Sequence, residues 1–149
     1  MEYSNISLKK AITKLLKEEF PHCTILKDKS GSNQKAPTFF VRYLSVGQKS
    51  AGMDLYSQSF IVEVRYRPDN KLPENELSTH LDLIGGQLQD LLDFVRDEDF
   101  SARAESADYE TSDGSLIMLL RYTIRKRIVT EQDPYMEDIE EKQEVKGNG

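Results

Sequence analysis

The sequence predicts an α+β domain in which a mainly antiparallel sheet carries two amphipathic helices on one face, in the order α-β-β-β-α-β-β. Three observations predict it. Two stretches repeat apolar residues every three or four positions, several others alternate or concentrate aromatic and β-branched residues, and an Asp-Gly turn joins the last two of these. With 149 residues, 38% hydrophobic and 31% charged, the chain has material for one compact core and too little for two ordinary ones.

The first helix follows Ser7, a candidate cap, with Leu8, Ala11, Ile12, Leu15 and Leu16 on one side and Lys9, Lys10, Lys14 and Lys17 on the other. Pro21 marks its end. Cys23 to Leu26 reads as a short strand, and the polar, turn-rich DKSGSNQKAP that follows reads as a mobile loop. TFFVRYLS, residues 38 to 45, is a strand with apolar groups on both sides, Phe40 and Leu44 on one and Phe39, Val41 and Tyr43 on the other. The spacing predicts a second loop over residues 46 to 57.

SFIVEVRYRP alternates most cleanly, with Phe60, Val62, Val64 and Tyr66 opposed to Glu63, Arg65 and Arg67, until Pro68 ends it. Pro73 suits a helix start, and Leu77, Leu81, Ile84, Leu88, Leu91 and Val95 keep helical spacing over about six turns. Gly85 and Gly86 interrupt that helix, each weakening it by about 1 kcal/mol against alanine. The simplest reason for them is close packing on the sheet. A polar strand over residues 100 to 111, the turn Ser112-Asp113-Gly114-Ser115, and a long strand from Leu116 to Val129 complete the fold. Leu116, Met118, Leu120, Tyr122 and Ile124 form that strand's core row. Its other side starts apolar at Ile117 and Leu119 and turns basic at Arg121, Arg125 and Arg127.

Little in the sequence points to catalysis. There is no phosphate-binding glycine loop, and neighbours His22 and Cys23 would point to opposite faces of a strand without a third partner. Cys23 reads as a small buried apolar residue, His80 as a surface residue, and Asp93, Asp97, Glu98 and Asp99 as the solvated end of a helix rather than a calcium loop. One cysteine excludes an internal disulfide, and two histidines make a zinc site improbable on composition. No enzyme activity, cofactor or metal is expected. No stretch approaches the roughly 20 apolar residues of a membrane span, and MEYSNISLKK lacks a secretory core, so a soluble protein made in the cytoplasm is expected.

The formal charge of -6 is unevenly placed. Residues 1 to 130 hold 18 basic and 19 acidic groups, while residues 131 to 149 hold 2 and 7. The organisation expected is one domain over 1–130 and an acidic, disordered or partner-ordered tail over 131–149. The arginines of the last strand, with Lys126, lack the interleaved aromatics of a nucleic-acid surface, so no sequence-specific nucleic acid is expected as a partner.

KKAITKLLKEEFP, PTFFVRYL, SFIVEVRYRPDN, the helix ending LQDLLDFV, and YETSDGSLIMLLRYTIRKRI together resemble the small tail terminator proteins of phages and prophages of Gram-positive bacteria. The resemblance spans nearly all of residues 5 to 130 and rests on element order and apolar pattern. It implies a structural subunit that assembles as a hexameric ring on the tail tube. Such a ring stops polymerisation of tube protein, and often sheath protein, and gives the head-completion or neck proteins a docking surface. It also implies assembly in the host cytoplasm and residence in the virion tail, at the head-tail junction.

The residues independently suggest self-association, because two helices can cover only one face of the sheet and apolar groups remain for the other. The interface candidates are Phe39, Val41, Tyr43, Arg65, Arg67, Ile117, Leu119, Arg121, Arg125 and Arg127. A ring uses head-to-tail contacts, so apolar and basic groups can serve opposite sides of one subunit. The loops 27–37 and 46–57 are candidates for contact with tube or neck. The alternative is a monomeric α+β module that binds a protein or peptide by strand addition at a sheet edge.

Overall fold

Residues 3–26 and 35–127 are described by the structure, a computed structural model. The elements run α1 (Ser7–Glu19), β1 (Thr24–Leu26), β2 (Thr38–Gly52), β3 (Leu55–Arg67), α2 (Glu74–Leu91), β4 (Phe94–Arg96), β5 (Ser101–Ser112) and β6 (Ser115–Arg127). The α+β class and the predicted order hold, with one further strand, β4, after the second helix. Six strands form one sheet in the order β1-β2-β3-β6-β5-β4. β1 runs parallel to β2, pairing Thr24 with Thr38, and the β4/β5 and β5/β6 pairs are antiparallel.

Both helices lie on one face. α1 buries Leu8, Ala11, Ile12 and Leu16, α2 buries Leu81, Ile84 and Leu88, and these share one core with Phe60, Val62, Val64 and Tyr66 of β3 and with the predicted row of β6. The Phe20 ring just beyond α1 packs 5.1 Å from that of Phe39, and the hydroxyl of Tyr122 donates to the carbonyl of Leu92 at 2.6 Å.

Several local expectations change. Ser7 does not cap α1, whose N-cap is Ile6. The Ser7 hydroxyl is buried and accepts from the Ser4 amide. Residues 46–57 are not a loop but continue β2 and begin β3 around a turn at Met53-Asp54. Asp54, at φ 57, takes the left-handed conformation that aspartate tolerates. Side chains 44–54 are exposed there, so no apolar alternation was needed and none appears. α2 stops at Leu91, about five turns, and Val95 belongs to β4, where it is fully buried. The predicted Asp-Gly turn is present, with φ of 50 at Asp113 and 76 at Gly114, as the tight turn of a twisted hairpin requires.

Chain contacts divide the polypeptide into two units. One holds residues 1–48 and 58–124. The other holds 49–57 and 125–149, of which 49–57 and 125–127 are described. The acidic segment 131–149 and most of the predicted loop 27–37 lie outside the described residues.

The two helix glycines differ in kind. A Cβ on Gly85 would stand 2.6 Å from Cε2 of Tyr109, whose ring is tied down by its hydroxyl donating to Asp82 at 2.8 Å. A Cβ on Gly86 meets nothing within 4 Å. Close packing thus explains Gly85 alone. Gly86→Ala is expected to stabilise the fold by about 1 kcal/mol through helix propensity. Gly85→Ala is expected to destabilise it by about 1–3 kcal/mol through overpacking. Urea titration checks both signs, and Tyr109→Ala should abolish most of the Gly85→Ala penalty.

Candidate assembly surface

Alternation decides which side chains reach the uncovered face of the sheet. On β2 these are Phe40, Arg42 and Leu44. On β3 they are Ile61, Glu63, Arg65 and Arg67, and on β6 Ile117, Leu119 and Arg121. Leu44 is 44% exposed and Leu119 37%. By register Asp108 of β5 stands opposite Leu119, and Glu110 opposite Ile117. The face therefore mixes half-covered aliphatics with basic and acidic groups, and neither described helix lies over it.

Phe39, Val41 and Tyr43 were expected on this side, and the structure places them under the helices instead. Phe39 is fully buried between Phe20 and Tyr66, and Val41 is 3% exposed in the same core. The Tyr43 hydroxyl accepts from the Lys9 amide and donates to the Asn5 carbonyl, tying its strand to the start of α1. Parity alone could not tell which apolar row of β2 faced in. Packing against Phe20 and Tyr66 settles it, and makes Phe40 and Leu44 the outer row.

Ile117 and Leu119 lie on the uncovered face as expected, half-buried and exposed respectively, with exposed Arg121 two residues further on. Arg65 and Arg67 share the same side of β3. Arg125 and Arg127 are exposed within the second unit.

The arrangement that sequence reading missed centres on Glu63. Its side chain is only 5% exposed although neither described helix covers it. Arg42 forks onto it, Nε to Oε2 at 3.3 Å and Nη2 to Oε1 at 3.2 Å, and Arg65 Nε donates to Oε2 at 2.5 Å. Desolvation by burial pushes the Glu63 carboxyl up, but the hydrogen bonds from Arg42 and Arg65 outweigh it and hold its pKa below the usual carboxylate range. Both guanidinium groups remain more than a third exposed, so the cluster presents net positive charge outward. The i, i+2 spacing of Glu63 and Arg65 was visible in the sequence, whereas Arg42 arrives from another strand.

A group whose folded pKa is lowered contributes stability above its ordinary pKa, about 4.3 for glutamate, and loses it as pH falls through the lowered value. Glu63→Gln is therefore expected to cost about 1.5–3 kcal/mol near neutral pH, the worth of charge-assisted hydrogen bonds. The gap to the parent should narrow in acid. Urea midpoints measured from pH 7 down to pH 3 check this.

The other residues singled out from the sequence lie apart from this cluster. His80 is half-buried rather than on the surface, and its Nε2 lies 2.8 Å from the Tyr66 hydroxyl. Burial first, then the nearby Cys23 and Asp69, push that phenol up to about 12. Cys23 is half-buried against the core and its thiol is also pushed up by burial, while His22 is exposed.

The acids after α2 do not form a helix end. Asp93 pairs with Arg103 at 2.7 Å, and Asp97 accepts from the amides of Asp99 and Phe100 in the turn between β4 and β5. Among the described residues no group of three or more His, Cys, Asp or Glu side chains is arranged to hold a metal ion. Nor is any helix among them long and apolar enough to cross a membrane.

Comparison with known proteins agrees with a structural reading. Residues 7–134 match a family described as phage tail terminator protein. No curated protein matches the sequence. Among solved structures, one is 14% identical and covers 83% of this chain and 92% of its own, with a TM-score of 0.40.

Proposed function

The chain belongs to the phage tail terminator protein family, and from that premise we propose that copies of it close into a ring, of six subunits on the resemblance, at the end of the tail tube. The ring stops addition of tube protein, and of sheath protein where a sheath exists, and presents the surface to which head-completion or neck proteins dock. It acts by shape and surface complementarity, without turnover, and resides in the virion tail after assembly in the host cytoplasm. The Gram-positive host implied by the resemblance belongs to the same proposal.

The supporting observation is the sheet face without helices, carrying exposed Leu44 and Leu119 beside the Arg42-Glu63-Arg65 cluster. Burying a few hundred Å² of apolar surface gives several kcal/mol of gross drive toward association at about 25 cal/mol per Å². The second reading, strand addition to a monomer, would use the parts of β2 and β5 beyond the three residues that β1 and β4 each pair. The Arg125 and Arg127 side chains are proposed to make subunit or tube contacts.

Electron microscopy of tube protein polymerised with and without the purified chain tests the reading. Rings at tube ends and arrested growth are expected. Arg125→Glu with Arg127→Glu should impair capping while leaving the thermal melt unchanged. Tubes that end normally in phage lacking the gene would overturn it.

A further inference from the structure

We propose that the lysine stripe of α1 is the docking site for the acidic segment 131–149 of a second copy of this chain; the proposal rests on the self-association argued above.

Lys10, Lys14 and Lys17 recur at i, i+4 and i+7 and are exposed, and half-buried Lys9 extends the stripe, with its ammonium 6.0 Å from the centre of the Tyr43 ring. None of the four forms an ion pair among the described residues. Ile6, 52% exposed, borders the stripe at the start of the helix, and Ile6, Lys9, Lys10, Thr13, Lys14 and Lys17 line one shallow depression. The first turn of α1 contains no acid, so the positive end of the helix dipole adds to the lysines instead of being neutralised. Among the described residues, acids accompany this helix at Glu18 and Glu19 and at the turn residues Asp97, Glu98 and Asp99, which with Glu18 line a groove that Lys10 and Lys14 also border.

The rest of α1's polar side thus concentrates positive charge in a protein whose net charge is negative. Such a surface fits an anionic polypeptide with a few apolar side chains. Residues 131–149 have that chemistry, with seven acids against two lysines and with Tyr135, Met136 and Ile139 set among the acids. Nineteen residues span up to about 60 Å when extended, enough to cross to a neighbouring subunit.

The test mixes full-length chains grown on light and heavy nitrogen, couples lysine to carboxylate with a zero-length carbodiimide, and maps the joined peptides by mass. Links between Lys10, Lys14 or Lys17 and carboxylates of residues 131–144 are expected, with light-heavy pairs among them. Those links should weaken as salt rises. The variant Lys10→Glu, Lys14→Glu, Lys17→Glu, which has lost the coupling amines, is read instead by sedimentation and should self-associate about tenfold more weakly or worse through like-charge repulsion. Mixing it with the variant Glu137→Lys, Asp138→Lys, Glu140→Lys, Glu141→Lys should restore association through the reversed charges. Links found only within one isotope, or assembled rings without these links, would overturn this proposal and leave the ring reading standing. A chain that stays monomeric, with no mixed links, would overturn both.

Discussion

Phe39→Ala is expected to cost about 3–5 kcal/mol of folding stability, the usual penalty for emptying an aromatic site in a packed core. Phe39 has no exposed surface, and its ring centre lies 5.1 Å from that of Phe20 and 5.0 Å from that of Tyr66. The variant therefore loses transfer energy and two tilted ring contacts, and it leaves a cavity bounded by an α1 extension on one side and β3 on the other. A domain holding about 5–15 kcal/mol in total has little margin for such a loss. The urea midpoint should fall sharply at nearly constant slope, which separates lost stability from altered compactness. Phe40→Ala, one residue along, is expected to cost under about 1.5 kcal/mol, since Phe40 is half-buried on the uncovered face. If Phe39→Ala folds as firmly as the parent while its self-association fails, Phe39 is an interface residue and the core assignment is wrong.

That contrast also shows what a sequence can carry. On β3, charged residues at Glu63, Arg65 and Arg67 mark the outer row, so Phe60 to Tyr66 could be placed in the core from alternation alone. On β2, hydrophobic residues occupy both rows, and the pattern is symmetric until Phe20 and Tyr66 choose between them. The same limit applied to Val95, which sits four residues beyond Leu91 and continues the helical spacing. The chain has already left the helix by then, with Leu92 as its C-cap and the Leu92 carbonyl held by Tyr122. A short apolar run read only by spacing suits helix and strand equally.

The β2/β3 turn was missed for the opposite reason. Its side chains are exposed on both sides, so strand pairing there is stabilised by the backbone and leaves no hydrophobic signature. By contrast Asp113-Gly114 announced its hairpin because positive φ at two successive positions restricts the residue types that fit. The Glu63 cluster was half legible: burial of its carboxylate depends on Arg42 of another strand, and no local pattern encodes that meeting.

Leu44→Asp combined with Leu119→Lys is expected to abolish self-association and tail-end capping while leaving the subunit folded. The charges are chosen for their surroundings. Aspartate at 44 lies two residues from Arg42 on the same side of β2, and lysine at 119 stands opposite Asp108 of β5, so each new charge has an opposite charge near it. With 44% and 37% of their surfaces already in water, the two leucines contribute only part of a buried leucine's worth to the monomer, and the stability change should be about 1–3 kcal/mol, short of unfolding a domain that holds about 5–15 kcal/mol. At an interface the account differs. Covering the part of each leucine still in water is worth roughly 0.5–1.3 kcal/mol, so losing two, and then having to dehydrate two charges, raises the dissociation constant about 100-fold. Sedimentation velocity should show the slower monomer where the parent shows an assembly. In phage carrying the variant gene, tubes should be overlong or lack heads. Rings that persist with the double variant would mean that this face of the sheet is covered by something other than a like copy, or remains in water, and that subunits meet through the helices or strand ends instead.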